Sequence, residues 1–313
     1  MSTYTRMLAL TLTMMASGCD AVDDAGQADV GIKLRPGNGG SGGVYLNTSA
    51  IGNHMFSELD LTGALHDGVV LDAVAVKIGE SLLTLDSVAA QDGELQGLLG
   101  DEVFAGEQLV GSVWTLTIVA GLEETPATMW ISAANQDGDG VWHYVFQHED
   151  AQGEPADLCA PDLDGSPAAV PLKDITVDPA TGDMAARPDT LYLACTSGAV
   201  GKAISWGYAQ WERTIPEFEG LVRLVRADYC GDGVSWTLPG SALQVQDLWG
   251  INGFVDASAH TEAVWGPDGA LCLGERRAAG GAVTCGGAAP PVCAADASLA
   301  TYGDAIAWTK VAP

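Results

Sequence analysis

The first half of the chain consists of short runs of β-branched and aromatic residues separated by turn-forming dipeptides. Such runs cover residues 69–77, 81–85, 108–119 and 141–147. Asp-Gly pairs stand between them at 67–68, 92–93 and 137–138, and such pairs are typical of hairpin turns. Because the runs are short and closely spaced, they predict an antiparallel β sandwich or barrel over residues 44–157.

The second half mixes helical and β-prone patterns. Apolar residues recur at helical spacing from Pro216 and predict an amphipathic helix over 216–228, and a shorter helix is expected at 199–206. Strands are predicted at 234–238, 262–265, 270–273 and 305–310. We therefore expect a mainly β protein with some α, in which a disulfide-stapled α+β domain over 158–313 follows the β domain.

Charge is distributed unevenly between these halves. Residues 36–172 contain 21 acidic residues and one basic residue, Lys77, whereas 173–313 contain 16 acidic and 9 basic residues. Two such different surfaces favour two domains. The formal net charge of −28 repels phosphate backbones, so nucleic acid is excluded as a partner.

Residues 1–18 have the pattern of an export signal. Arg6 gives a basic start, residues 7–15 form an apolar run, and small residues follow. The run is too short to span a bilayer, which needs about 20 apolar residues. The end of this segment, Ala16-Ser17-Gly18-Cys19, resembles the bacterial lipobox. The resemblance implies that Cys19 is lipidated and becomes the first mature residue. The alternative is ordinary secretion without an anchor.

Residues 19–43 are predicted to be a flexible tether behind the lipidated cysteine. The segment is acidic and ends in the glycine-rich stretch 37–43. Gly37, Gly39 and Gly42 match G-x-G-x-x-G, but no strand precedes them and no helix follows, so a dinucleotide site is rejected. We expect an exported protein anchored in the bacterial cell envelope, and the choice between inner and outer membrane stays open.

Six cysteines remain once Cys19 is set aside, and all lie in the second half. They are Cys159, Cys195, Cys230, Cys272, Cys285 and Cys293. An even number in an exported chain predicts three disulfides, although spacing does not choose among the 15 connectivities. The short turn-forming loop 286–292 favours a Cys285–Cys293 pair. Because no C-x-x-C pair is present, a zinc site is not expected.

Several separated motifs follow one another in the second half. The central one is Arg226-Ala-Asp-Tyr-Cys-Gly-Asp-Gly233, with Cys195–Tyr208 upstream and Asp247–Ile251 and Glu262–Leu273 downstream. In this order they resemble the ADYC-domain family of exported bacterial proteins over roughly residues 155–280. The resemblance implies a shared fold and no particular chemistry.

Asp228, Cys230 and Asp232 form the densest polar cluster of this signature. Cys230 could act as a nucleophile activated by the distant His260, or it could be a disulfide partner beside a tight turn at 231–233. We favour the disulfide, because an exported protein matures in an oxidising compartment.

Residues 135–140, Asn-Gln-Asp-Gly-Asp-Gly, match the front half of a calcium loop. Asn135, Asp137 and Asp139 would supply oxygens at alternate positions, but Phe146 stands where the loop requires Glu. The alternative is a plain hairpin turn. No cofactor is expected, and Ca²⁺ at this loop is the one alternative.

Aromatic residues crowd the signature region. They are Trp206, Tyr208, Trp211, Trp236, Trp249 and Trp265. Exposed tryptophans could stack on sugar rings, whereas buried ones fill a core, which is the commoner outcome.

These features predict a lipid-anchored protein of the envelope or cell surface that acts as a non-catalytic binding or structural module. Its expected partners are the membrane, through the anchor, and an envelope protein or glycan. The alternative is a hydrolase acting on an envelope or extracellular polymer through Asp228 or Asp232 with His260.

Overall fold

Strands dominate the fold, as the β-prone runs predict. The structure, a computed structural model, describes residues 44–237, 241–256, 258–278 and 281–312, and the backbone of 32–33. The strands in this part of the chain are β1 (Ile32–Lys33), β2 (Ala50–Ile51), β3 (His54–Met55), β4 (Glu58–Asp60), β5 (Val69–Ile78), β6 (Ser81–Thr84), β7 (Ser87–Gln91), β8 (Glu94–Leu99), β9 (Glu102–Ala105), β10 (Val113–Ala120), β11 (Glu123–Gln136), β12 (Trp142–Glu149), β13 (Pro155–Asp157), β14 (Ala168–Val177), β15 (Met184–Cys195), β16 (Ala242–Asp247), β17 (His260–Gly266), β18 (Gly269–Leu273) and β19 (Ala307–Val311). The α-helices are α1 (Ala199–Ser205) and α2 (Ile215–Arg226), and short 3-10 turns lie at Gly106–Leu109, Gln210–Glu212 and Leu299–Thr301.

Antiparallel sheets build the molecule in layers. The largest sheet has nine strands in the order β4-β15-β14-β12-β11-β10-β5-β6, with β13 beside the end of β12. A three-stranded sheet, β7-β8-β9, shares a hydrophobic core with it. A five-stranded sheet has the order β1-β16-β19-β17-β18. The mainly β prediction is therefore confirmed.

A β-bulge keeps β5 in register with the core. The buried residues Val69 and Leu71 lie two apart, but the next buried pair, Val74 and Val76, has the opposite parity. The ladder with β10 shifts between Thr115 and Leu116 at this point. An extra residue on one strand restores the inward direction of the side chains that follow it.

Strand β14 and the second half of β15, residues 190–195, are buried on both faces. Along β15, Leu191 and Leu193 face the core shared with the three-stranded sheet, whereas Tyr192 and Ala194 face α1 and α2. Because side chains alternate along a strand, two covered faces produce a nearly continuous apolar run. These strands lack the alternation that marks half-exposed strands, and the sequence analysis did not predict them.

Helix α2 lies between the nine-stranded and five-stranded sheets. Thr214 caps its start in a capping box with Glu217, and Pro216 occupies the first turn. Phe218 packs toward the nine-stranded sheet, while Leu221 packs in the core of the five-stranded sheet. The predicted helix is confirmed, and because both of its sides are covered it fixes the position of the signature that follows.

Three disulfides join the six predicted cysteines, but one predicted pairing is wrong. The bonds are Cys159–Cys195, Cys230–Cys285 and Cys272–Cys293. The chain after Cys285 turns sharply and then runs beside β18, where the Cys293 N–H donates to the carbonyl of Leu273 at 3.2 Å. This path brings Cys293 next to Cys272 instead of Cys285.

The strand predicted at 234–238 is also wrong in its described part, residues 234–237. The Trp236 N–H and the Ser235 hydroxyl both donate to the carbonyl of Arg226, and the Thr237 hydroxyl donates to that of Val225. These bonds satisfy carbonyls at the end of α2 that have no partner within the helix. The segment therefore caps a helix and joins no sheet.

The boundary predicted at residue 157 falls inside the nine-stranded sheet. Strands β14 and β15 continue the sheet that β12 belongs to, and β4 pairs with β15. The described residues within Gly31–Pro313 belong to one compact unit. The predicted signal, residues 1–18, the lipidated Cys19 and most of the tether lie outside the described residues, but Ile32 and Lys33 pair with β16.

Candidate functional site

The family-like signature begins where α2 ends. Ala227 has a left-handed backbone (φ 53°) and its N–H donates to the carbonyl of Leu224. Glycine is the usual residue at such a cap, because a side chain is strained there. Here the buried methyl group packs among the side chains between α2 and the five-stranded sheet. The alanine of the signature therefore has a packing role.

Asp228 is fully buried and organises the turn that follows. Its Oδ1 accepts from the N–H of Asp232 at 3.1 Å, and its Oδ2 accepts from that of Gly233 at 2.9 Å. Burial raises the pKa of Asp228, although these two N–H groups and the Arg226 guanidinium at 4.0 Å act in the opposite direction. Both carboxylate oxygens are thus engaged within the fold.

Tyr229 links the signature to a buried ion pair. Its hydroxyl donates to Oε1 of Glu262 at 2.7 Å, and its ring stacks on Trp265 with centroids 5.4 Å apart. Arg277 binds Glu262 through two hydrogen bonds of 2.5 and 2.7 Å. Burial raises the pKa of the Tyr229 hydroxyl far above its ordinary value, so the hydroxyl stays protonated and can donate to Glu262.

Cys230, Asp232 and His260 do not form a hydrogen-bonded set. Cys230 is in a disulfide with Cys285. Asp232 is exposed, and its Oδ1 accepts from the N–H of Val234 at 3.1 Å. His260 begins β17, is half exposed and contacts Glu275 through Nδ1. Among the described residues, no hydrogen bond or ion pair joins His260 to either signature aspartate.

The calcium-loop candidate is the turn between β11 and β12. Oδ1 of Asp137 accepts from the N–H groups of Asp139 and Val141, and its Oδ2 lies 2.9 Å from Nε2 of His143. Burial alone would raise the pKa of Asp137, but these hydrogen bonds outweigh it and lower the pKa. Asn135 lies in β11, paired with His143 across the ladder. The geometry is that of a hairpin turn closed by an aspartate.

Two of the six aromatic residues singled out in the sequence lie at one cleft, whereas Tyr208 and Trp265 are buried. We call it the tryptophan cleft, and its volume is about 660 Å³. It is lined by Asp92, Asp137, Asp139, Gly140, Val141, Ile204, Ser205, Gly207, Ala209, Trp211, Glu212, Arg213, Trp249 and Ile251. One wall is made by the β7–β8 and β11–β12 turns, and the other by the segments that follow α1 and β16.

The walls of this cleft meet at Trp211. A side chain at Gly93, in the β7–β8 turn, would lie 2.5 Å from the Trp211 indole. Gly93 has a positive φ of 79°, so glycine meets both the steric and the backbone demand at this position. The contact holds the hairpin against the indole.

Arg213 forms the cationic part of the cleft. Its guanidinium lies 4.3 Å from the centre of the Trp249 ring, and its side chain is only 8% exposed. Asp247 fixes the Trp249 loop by accepting from the backbone N–H groups of Trp249, Ile251 and Asn252. The Trp249 indole, on which the guanidinium packs, therefore lies on a loop held by a buried carboxylate.

A second cleft, of about 450 Å³, contains a carboxylate–imidazole pair. Oε2 of the buried Glu58 lies 2.5 Å from Nε2 of His66, and its Oε1 accepts from the N–H of Val177 at 2.6 Å. Asp67 lies beside them, and burial raises its pKa. Sequence analysis missed this pair, because Glu58 and His66 meet only through the pairing of β4 with β15 and the turn before β5.

Neither cleft is lined by Asp228, Asp232 or His260.

In the described part of the chain, we find no group of three or more His, Cys, Asp or Glu side chains placed to hold a metal ion. The same residues contain no helix with the length and apolar character needed to cross a membrane.

The fold defines a class of protein. It is mainly β and carries three disulfides, which form in an oxidising compartment and so point to an extracellular or periplasmic protein. The model of the ADYC domain family matches residues 106–279, more than half of the chain, and the chain belongs to that family. The match begins well before residue 155 and so includes β10 to β12. No curated protein and no solved structure matches this chain.

Proposed function

We propose that this protein is a lipid-anchored, non-catalytic binding module of the bacterial cell envelope that holds a glycan in the tryptophan cleft. The observation that carries the proposal is the engagement of the signature's chemical groups within the fold. Asp228 accepts two backbone N–H bonds, Tyr229 donates to Glu262, and Cys230 is oxidised. Because these groups already have partners within the fold, we infer that the signature has a structural role and that a ligand binds at another surface.

The tryptophan cleft supports glycan binding through its mixture of groups. Its volume of about 660 Å³ falls in the range of roughly 300–1,000 Å³ typical of ligand pockets. Trp211 and Trp249 are partly buried and offer aromatic surface, and exposed carboxylates at Asp92 and Asp139 can accept from sugar hydroxyls. The second cleft is lined by no Trp, Tyr or Phe side chain among the described residues.

The anchor is supported by the residues before the described chain. The basic start at Arg6, the apolar run 7–15 and the lipobox-like exit at 16–19 are consistent with lipidation of Cys19. More than one acyl chain gives stable anchoring, since each buried methylene contributes about 0.8 kcal/mol.

Glycan binding is tested on an array of bacterial surface glycans. Wild type is expected to bind a subset of them, and Trp211→Ala and Trp249→Ala to lose that binding. Trp130→Ala is the matched control, because Trp130 is also partly buried but lies on β11 outside the cleft. A blank array, or binding that survives both cleft substitutions, would overturn the proposal, and capture of an envelope protein through the same residues would replace the glycan by a protein ligand.

The anchor is tested separately by metabolic labelling with a fatty acid analogue. The wild-type protein is expected to carry the label and to fractionate with membranes, whereas Cys19→Ser is expected to lose the label. Unlabelled wild-type protein in the soluble fraction would remove the anchor and leave the binding proposal intact.

A further inference from the structure

The tryptophan cleft has a polarised charge distribution. On the hairpin wall, Asp92 and Asp139 are exposed, and neither carboxylate makes a hydrogen bond or ion pair within the described chain. Asp137 is different, because its oxygens are used by backbone N–H groups and by His143. Two carboxylates on this wall are therefore available to a ligand.

The opposite wall presents a cation whose hydrogen-bonding capacity is only partly used. Arg213 is more than nine-tenths buried at its side chain and lines the cleft. Its NH1 donates to the carbonyl of Glu212 at 2.8 Å, and the exposed Glu212 carboxylate is 3.7 Å away. Its Nε has no hydrogen-bond partner among the described residues. A guanidinium that lines a cleft and is short of acceptors attracts an oxyanion, which can accept a charge-assisted hydrogen bond from it.

We infer that the cleft takes a dipolar sugar, one that carries both an ammonium and a carboxylate group. The ammonium lies toward Asp92 and Asp139, and the carboxylate lies toward Arg213 on Trp249. This inference rests on the proposed glycan binding and specifies its ligand class.

Sugars with only one charge, or with none, would pair with fewer of the charged groups in the cleft. A purely anionic sugar meets the two free carboxylates and the field of a chain with net charge −28. A purely cationic sugar gives Arg213 no further acceptor and is repelled by its charge. A neutral sugar contacts the aromatic surface but pairs with neither charged wall.

The test is a titration of the mature protein with four related amino sugars. Muramic acid carries both charges, N-acetylmuramic acid only the carboxylate, glucosamine only the ammonium, and N-acetylglucosamine neither. Muramic acid is expected to bind roughly tenfold more tightly than either singly charged sugar. Equal affinities, or tightest binding of N-acetylglucosamine, would overturn the dipolar inference and preserve glycan binding, whereas no binding by any of the four would overturn the inference and count against the proposed function.

Variants assign each charge to its wall. Asp92→Asn with Asp139→Asn is expected to abolish the preference for muramic acid over N-acetylmuramic acid, and Arg213→Gln to abolish the preference for muramic acid over glucosamine. Asp101→Asn is the matched control, since Asp101 is an exposed carboxylate on another hairpin turn outside the cleft. Because Asp92 and Asp139 are surface residues, that double variant is expected to fold, and it tests the inference even if Arg213→Gln does not fold. Unchanged preferences in the double variant would contradict the inference.

Discussion

The hydroxyl of Tyr229 donates a 2.7 Å hydrogen bond to Glu262 and thereby ties the family signature to the five-stranded sheet. Glu262 is in turn held by Arg277, and both charged side chains are fully buried. A buried ion pair depends on hydrogen bonds that complete its geometry, since each charge has lost its solvation. Tyr229 supplies one of those bonds.

Substitutions at this contact are expected to have graded effects. Tyr229→Phe removes one donor and is expected to lower the free energy of unfolding by about 1–2 kcal/mol. Glu262→Gln leaves the buried Arg277 charge uncompensated, for which we expect a loss of about 3–5 kcal/mol. Urea denaturation measures both, with Tyr45→Phe as control because Tyr45 is exposed. Similar losses for Tyr229→Phe and Tyr45→Phe would contradict this role.

Lys202 is expected to make stability depend on pH. It lies in α1 and is buried, which lowers the pKa of its ammonium to about 8, against the attraction of Asp162. Above pH 8 the folded protein therefore binds fewer protons at this site than the unfolded chain, so stability rises with pH. Relative to Lys202→Met, the unfolding free energy of wild type is expected to rise by about 2 kcal/mol between pH 7 and 9.5.

The comparison stops at pH 9.5 because tyrosines begin to ionise near pH 10 in the unfolded chain. Denaturation of both proteins at each pH isolates the lysine, since the other titrating groups are shared. Parallel stability curves for wild type and Lys202→Met would rule out a depressed pKa at this position.

Gly233 is expected to be intolerant of any side chain. A Cβ there would lie 2.1 Å from the carbonyl oxygen of Ala180, and its φ is +82°. Gly233→Ala is expected to cost at least about 2 kcal/mol. Gly250→Ala is the matched control, because Gly250 has a similar φ of +70° but no atom within 4 Å of a Cβ. Backbone strain alone predicts a smaller loss there, of about 1 kcal/mol.

Equal losses of stability for Gly233→Ala and Gly250→Ala would show that glycine is required at 233 only for its backbone conformation and not because a side chain lacks space. The same outcome would show that the close approach of Gly233 to Ala180 and Thr181 does not exclude a side chain.

The disulfide connectivity predicts three cross-linked peptide pairs in a non-reducing digest. These are Cys159 with Cys195, Cys230 with Cys285 and Cys272 with Cys293. Replacing Cys230 and Cys285 by Ser opens a loop of 55 residues and is expected to lower stability by roughly 4 kcal/mol. A peptide linking Cys285 to Cys293 would contradict the fold at the end of β18.

Much of the fold was predicted from local patterns, because helix α2 and the hairpin turns depend on residues that are neighbours in the sequence. Pro216 and the apolar face after it predicted α2, and the Asp-Gly turns predicted hairpins. The strand at 168–177 and the buried half of the strand at 184–195, residues 190–195, were missed because both of their faces are covered. The segment 234–237 is rich in β-forming residues, yet its hydrogen bonds go to the end of α2. These hydrogen bonds depend on the tertiary fold, so no local sequence pattern predicts them.

The candidate site was predicted only in pieces. Asp137, Asp139, Trp211 and Trp249 were each singled out, but as a calcium loop and as separate aromatic residues. They meet in one cleft because the β11–β12 turn and the segments after α1 and β16 converge in space. No local sequence pattern marks Arg213 as a site residue, since its place in the cleft depends on packing against Trp249, which is distant in the sequence.

The central claim is that the protein binds a glycan without changing it. The most direct measurement incubates the mature protein with soluble fragments of purified bacterial cell-wall glycan, and follows binding by titration and glycan integrity by mass spectrometry. We predict saturable binding that Trp249→Ala abolishes, with the fragments recovered intact. Time-dependent cleavage that is lost in His260→Ala, whose exposed side chain can be replaced without disturbing the core, would contradict the account.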